Sequence, residues 1–366
     1  MNAINLTFVE ILFTFGTALF LSVCFTPIAI RLALKFNIVD QPNPRKTHLL
    51  PVPYLGGIAI YLAFLVAATI FIPISSEMLG LFIGGTVLMI VGAIDDKKDI
   101  SALLRLVIQI GCAILAVRSG ILIEGIGLPF VDKYIKLRFF GPPLTVIWIV
   151  TVTNIMNFID GLDGLASGTA AISAITLMVV AWRIDAYDVV ILSLALAGAC
   201  LGFLFYNFHP AKIFMGDAGA LFIGFTLACL SVKGPMKVGT FATMLVPLMA
   251  LGLPLIDTLV VFIKRIKSGQ SPMKADRQHI HHVLYDSGLS QRQTVLWLYA
   301  ISACFSFAAI EANNIQGRII SLGVGFLGLI LFLVARSMGL KEMSAETKDY
   351  KGELAREIEE ELKRHR

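Results

Sequence analysis

Charge is scarce in this chain. Only 15% of its 366 residues are Asp, Glu, Lys or Arg, while 57% are hydrophobic. Soluble globular domains carry roughly 25% charged residues, so an ordinary water-soluble domain is excluded: too few charges are present to cover its surface. Cysteine is equally uninformative as a framework. Cys24, Cys112, Cys200, Cys229 and Cys304 stand singly in apolar runs without C-x-x-C spacing, which excludes a disulfide scaffold and a cysteine metal cluster. The opening MNAINLTFVE has no basic n-region and no A-x-A-like site follows it, so no removable signal peptide is expected. No internal repeat is found. Glutamate is thin as well: between residues 78 and 310 only Glu124 occurs.

What the chain does have is a succession of apolar runs of about 20 residues, the length that crosses a bilayer core as a helix. The expected fold is an all-α polytopic integral membrane protein. Apolar runs and breakers predict eleven spans, at 7–35, 56–74, 79–95, 102–119, 142–159, 163–182, 189–208, 218–233, 239–263, 293–312 and 317–337. The third and eighth are short, and Pro27 is expected to kink the first. An odd number of spans puts the termini on opposite sides. With the N-terminus outside, Arg118, Lys133, Lys136, Arg138, Arg183, Lys233, Lys237 and Arg318 lie outside and the other Lys and Arg inside. The inner side then holds the large majority of the basic residues, as the positive-inside rule requires, and the C-terminus is cytoplasmic. The organisation reads as one transmembrane catalytic domain, 1–340, followed by a charged tail, 341–366, in which Glu359 with Lys363 and Glu360 with Arg364 suit a solvated helix. The outer loop 120–141 has room for a short hairpin.

In the stretch poor in glutamate the acids are aspartates, and most gather at the inner helix ends. Polar groups at membrane depth are expensive enough to imply function. In VGAIDDKKDI, Asp95 and Asp96 close the third span with Asp99 just beyond. Two adjacent carboxylates repel, so a bound cation or a lysine such as Lys97 or Lys98 is needed to keep both ionised. In NFIDGLDGLASG, Asn157, Asp160 and Asp163 continue a three-residue spacing that starts at Asn154. If the helix extends that far they form one ridge, and a polar helix–helix contact is the alternative. In HPAKIFMGDAGALFIGF, Asp217 stands near a helix N-terminus whose amides favour phosphate. An aspartate there suits Mg2+, which takes one or two carboxylates plus phosphate oxygens; an ordinary N-cap is the alternative. In SPMKADRQHIHHVL, Arg277, His279, His281 and His282 bring positive charge and neutral donors together. They suit an anionic ligand better than zinc, since no fourth ligand is evident.

DDKKD, N-x-x-NFIDGLDGLA, PAKIFMGDAG and DRQHIHH, together with RKTHLLPVPYLGG at 45–57, resemble the motifs of the polyprenyl-phosphate N-acetylhexosamine-1-phosphate transferase family. The likeness runs in order from about residue 7 to 337, and five such segments on one membrane face make it specific. HIHH and the eleven spans resemble its undecaprenyl-phosphate N-acetylglucosaminyl-1-phosphate transferase branch. The alternative branch is phospho-N-acetylmuramoyl-pentapeptide transferase. One departure is Ala220, where the family usually has serine after GDAG.

The resemblance implies transfer of N-acetylglucosamine-1-phosphate from UDP-GlcNAc to undecaprenyl phosphate in the bacterial inner membrane, with the site on the cytoplasmic face. That reaction opens O-antigen, enterobacterial common antigen or teichoic acid synthesis. Loops near 37–55, 95–101, 157–164, 209–218 and 264–292 would build the site. Asp217 would hold Mg2+, or Mn2+ in its place. Asp95 and Asp96 would position or deprotonate the lipid phosphate, with Lys46 and Arg105 as phosphate contacts. Asn157, Asp160 and Asp163 would orient the nucleotide and metal shell, and Arg277, His279, His281 and His282 would clamp the sugar nucleotide. The bilayer would solvate the lipid tail. The family suggests a homodimer, and no nucleic-acid partner is expected. An ion-coupled transporter also uses intramembrane aspartates, but near the midplane and often in repeats. A scaffold for envelope assembly would not need clustered aspartates.

Overall fold

Apolar composition with few breakers leaves the backbone one inexpensive way to satisfy itself in lipid, which is to close its hydrogen bonds within helices. The computed structural model describes residues 8–41, 51–127, 134–236, 247–267, 279–286, 288–311, 317 and 319–337. In chain order the helices are α1 (Phe8–Lys35), α2 (Gly56–Phe71), α3 (Ser76–Asp95), α4 (Ala102–Arg118), α5 (Gly141–Ile159), α6 (Leu165–Arg183), α7 (Tyr187–Asn207) and α8 (Gly216–Ser231). They continue as α9 (Gly252–Lys267), α10 (Ile280–Asp286), α11 (Gln291–Glu311) and α12 (Ile319–Ser337). A π-helical turn, Val232–Met236, extends α8. Among the described residues eight helices are long and apolar enough to cross a membrane, and α2 is apolar but shorter. The protein is thus all-α and polytopic. Among the described residues the minor sheet structure is two antiparallel pairs, β1 (Val39–Asp40) with β2 (Val52–Pro53) and β3 (Gly125–Gly127) with β4 (Tyr134–Lys136). The second pair is the hairpin expected in the 120–141 loop. The tail 341–366 lies outside the described residues.

Two prolines show how the bundle handles freed backbone groups. Proline has no N–H, so the carbonyl four residues earlier loses its helical partner. α1 runs on through Pro27, and the Tyr206 hydroxyl of α7 donates to Val23 O at 3.3 Å. Pro254 of α9 frees Ala250 O, which accepts from the Ser173 hydroxyl of α6 at 2.6 Å. In both cases a neighbouring helix supplies the missing donor.

The layers differ in enclosure. α8 is the centre: 94% of its apolar window is buried, against 22% for α1. α8 packs against α2, α3, α5 and α6, while α1 lies on α2 and α7. α3 approaches α8 at Gly92, where a Cβ would run into the backbone of Asp217 and Ala218. This near-contact of backbones brings the C-terminal end of α3 to the N-terminal end of α8, and the acidic motifs meet there.

Candidate active site

Asp96 is the C-cap of α3. Its carboxylate accepts from the backbone N–H of Asp217 at 2.7 Å and of Ala218 at 3.3 Å. α8 has no side-chain cap of its own, and its N-cap residue is Met215. Asp96 therefore caps α8 from another helix, and the amides expected to attract phosphate already receive this carboxylate. Gly216, at φ +71°, is where a Cβ would strike the Asp96 carboxylate. Burial, and next the Asp217 carboxylate, push the Asp96 carboxyl up to about 8, against the opposing pull of the two amides.

With its backbone held by Asp96, Asp217 has its side chain free for other partners, so the ordinary N-cap alternative does not describe it. Oδ2 accepts from Arg105 Nη1 at 2.7 Å and Oδ1 from Asn157 Nδ2 at 2.6 Å. The same Arg105 nitrogen donates to Asp95 Oδ2 at 2.7 Å. Asp95 Oδ1 also accepts from Ile100 N–H at 2.7 Å, which folds the segment after α3 back onto it. A single guanidinium from α4 thus bridges the last residue of α3 and the first turn of α8. The expected neutralising lysines, Lys97 and Lys98, are exposed; Arg105 and the α8 amides take that part.

The expected polar ridge ends early. α5 stops at Ile159, and Asp160 is its C-cap with φ −76° and ψ 57°. Asn154 exchanges amide hydrogen bonds with Gln109 of α4, at 2.6 and 3.4 Å, so it joins two helices rather than lining the site. Asn157 reaches Asp217. Asp160 is pushed up to about 7 by burial, then by the Asp217 and Asp163 carboxylates. Asp163 turns the other way: Oδ2 pairs with His209 Nδ1 at 2.8 Å and accepts from Ala211 N–H at 3.1 Å. It fastens the loop after α5 to the loop after α7.

The histidine segment arrives through α10. His279 Nδ1 lies 2.8 Å from Asp257 Oδ2, and the rings of His279 and His281 stack with centroids 5.8 Å apart and planes 12° apart. Stacked rings do not converge on one ion. Among the described residues no three His, Cys, Asp or Glu side chains form a metal-holding group. Lys46 and Arg277 lie outside the described residues, as does the side chain of His282.

Several contributors escaped the sequence reading. Tyr54, ahead of α2, has its hydroxyl hydrogen-bonded to Asp40. Burial, then Asp40 and Asp96, with Asp160 also contributing, hold that hydroxyl well above the ordinary phenol range. Asn207, the last residue of α7, accepts from Gly164 N–H at 3.0 Å and donates to Ile213 O at 3.0 Å. The first amides of α2, Gly56 and Gly57, donate to Phe214 and Met215 carbonyls at 3.0 and 2.9 Å. P-Y-L-G-G thereby braces the loop that leads into Asp217. Tyr54 lies within RKTHLLPVPYLGG, and its contact with Asp40, 14 positions earlier, has no sequence signature.

The donor set is made of hard oxygens, and a cation, the Arg105 guanidinium, already sits between Asp95 and Asp217. A divalent ion that takes one or two carboxylates and completes its shell from water and phosphate fits these residues. Ala220 is fully buried in α8.

Residues 78–235 match the model of glycosyl transferase family 4. The chain is 38% identical over 347 residues to a protein of Bacillus subtilis named probable undecaprenyl-phosphate N-acetylglucosaminyl 1-phosphate transferase, covering 94% of this chain and 97% of that one. It is 33% identical to a decaprenyl-phosphate N-acetylglucosaminephosphotransferase of Mycolicibacterium smegmatis, over 76% of each chain. It is also 30% identical to an undecaprenyl-phosphate alpha-N-acetylglucosaminyl 1-phosphate transferase of Salmonella typhi, over 78% of this chain and 79% of that one. With acidic helix ends gathered around α8 and relatives matched along most of their length, the chain belongs to glycosyl transferase family 4.

Proposed function

We propose that the protein is a phosphoglycosyl transferase that moves N-acetylglucosamine-1-phosphate from UDP-GlcNAc to undecaprenyl phosphate. The products are undecaprenyl-pyrophosphoryl-GlcNAc and UMP. The observation that carries this reading is the Asp95–Arg105–Asp217 bridge, with Asp96 beneath it and Asn157 beside it, at one end of the most buried helix. The names of relatives that span the chain support the substrates.

In the reaction an oxygen of the lipid phosphate attacks the β-phosphorus of UDP-GlcNAc directly, and the bond to the UMP oxygen breaks. Mg2+, held by Asp217 with Asp95 beside it, would supply charge neutralisation between the two anions. Arg105, held beside Asp95 and Asp217, offers a guanidinium to an incoming phosphate. Asp96 keeps the first turn of α8 in place and, with Asp95, positions or deprotonates the lipid phosphate. Asn157 keeps Asp217 aimed, and Asp160 faces the same centre. His279 and His281, with Arg277 and His282 on the same segment, bind the sugar nucleotide, and Lys46 contacts phosphate.

We place eleven spans across the bacterial inner membrane, N-terminus outside and the carboxylates at the cytoplasmic face, with a homodimer as the assembly. Purified protein with radiolabelled UDP-GlcNAc, undecaprenyl phosphate and Mg2+ tests the activity. Chloroform-soluble label is the expected result. No label from UDP-GlcNAc, but transfer from UDP-MurNAc-pentapeptide, moves the assignment to the other branch of the family.

A further inference from the structure

Asp257 lies inside α9 with no exposed surface. Three groups from elsewhere in the chain meet it. Oδ2 pairs with His279 Nδ1 at 2.8 Å, Oδ1 accepts from Ile280 N–H at 2.8 Å, and Arg336 Nη1 of α12 stands 3.5 Å from Oδ1. His279 and Arg336 are themselves buried, at 8% and 6% exposure. Burying such charges costs several kcal/mol each before their attraction is counted, and apolar packing of equal volume would join the helices at least as well. What a carboxylate adds is direction. An ionised Asp257 only accepts, so His279 Nδ1 must carry the proton and Nε2 is left as the ring's other face.

The constraint is passed on. The His279 ring stacks on His281, and His281 is 1% exposed. His281 Nε2 abuts Gly161, where a Cβ would collide with it. Gly161 follows Asp160 directly. A buried carboxylate on α9, backed by α12, is in this way connected through two stacked imidazoles to the loop that carries Asp160.

We propose that Asp257, with Arg336 behind it, is a positioning residue that fixes the His279–His281 pair against the Asp160 loop and so sets the sugar-nucleotide side of the site. The proposal rests on the assignment of the histidine segment to the donor nucleotide. Asp257 touches no substrate; it acts through His279.

Two measurements on the full-length protein test it. In 15N-histidine spectra of the wild type, with His279→Gln to identify the signal, His279 Nδ1 is protonated. A neutral ring protonated only at Nε2 overturns the proposal. In kinetics, Asp257→Asn raises KM for UDP-GlcNAc by about tenfold or more, the size typical of a lost orienting partner, while KM for undecaprenyl phosphate stays within about twofold. Asp257→Glu recovers part of the loss, and Arg336→Met gives a smaller change of the same kind. An unchanged donor KM, or equal losses toward both substrates, overturns it. If the wild type transfers nothing from any nucleotide sugar, the functional assignment fails instead, and the spectrum still decides the Asp257–His279 contact.

Discussion

Helices α3 and α8 run antiparallel and meet charged groups at both ends, with different arithmetic. At one end Lys233, past the end of α8, pairs with Glu77 in the first turn of α3 and with Asp188 at the start of α7. Two acids converge on a single ammonium that is 8% exposed. At the other end Asp95, Asp96, Asp160 and Asp217 crowd together, and among the described residues the side-chain cation that contacts them is Arg105. The first cluster sets two acids against one ammonium and locks helix ends. The second sets four acids against one guanidinium, and burial together with neighbouring carboxylates pushes Asp96 and Asp160 upward. The larger acidic excess lies where the acidic motifs meet, and the smaller ion cluster on the same two helices joins helix ends.

Substitutions at the two ends should therefore fail differently. The largest effect is expected from Asp217→Asn, which keeps the side-chain volume and loses the charge: turnover falls by at least about 10²–10³-fold with the melting temperature nearly unchanged, checked by label transfer and thermal unfolding. Near-normal turnover would remove Asp217 from its role. At the other end Lys233→Met leaves Glu77 and Asp188 without their ammonium. Because both acids are partly exposed, the loss is about 1–3 kcal/mol of stability, with activity per folded molecule retained; chemical denaturation in detergent measures it. A selective loss of activity without loss of stability would erase the contrast.

A milder test uses pH without divalent ions. Asp96 titrates near 8 and Asp160 near 7 in the folded protein, against 3.8 for the unreacted carboxyl. Between those values the folded state binds more protons than the unfolded one, so stability falls as pH rises from about 5 to 8. Asp96→Asn flattens the upper part of that slope, and Mg2+ reduces it by displacing the protons. A stability that rises with pH over this window would contradict the site's electrostatics. The smallest effect is expected at Ala220. A serine there can return its hydroxyl to the carbonyl one turn back, so Ala220→Ser should leave kcat/KM within about threefold in the transfer assay. Topology can be read separately in a Cys24→Ser background: a membrane-impermeant thiol reagent applied to intact cells labels Phe139→Cys and spares Lys98→Cys.

Much of the site's location was legible because it depends on local pattern. Apolar runs mark the helices, and Asp95, Asp96 and Asp217 stand at their ends. Partners across the fold were not legible. The three-residue spacing of Asn154, Asn157, Asp160 and Asp163 looks like a ridge only while the helix persists, and the helix stops at Ile159. Four residues that looked equivalent take different directions: within α5 Asn154 turns to Gln109 and Asn157 to Asp217, and beyond it Asp163 turns to His209 and Asp160 into the carboxylate cluster. Arg105 stood close enough to Asp95 to be chosen as a phosphate contact, yet its link to Asp217 spans 112 positions and has no sequence signature. Asp257 is a lone acid in an apolar helix, and nothing in its neighbours announces His279.

The cap that Asp96 places on α8 has a consequence for how the protein is made. The first turn of α8 finds its acceptor 121 residues earlier in the chain, on a helix inserted long before α8 leaves the ribosome. Until α8 docks, Asp96 has no helix end to hold, and Arg105 has one carboxylate to grip instead of two. The central helix is also the one that completes the cluster. A nascent chain that has not yet packed its core has not assembled this cluster either, so the proposed site forms at the moment the fold forms.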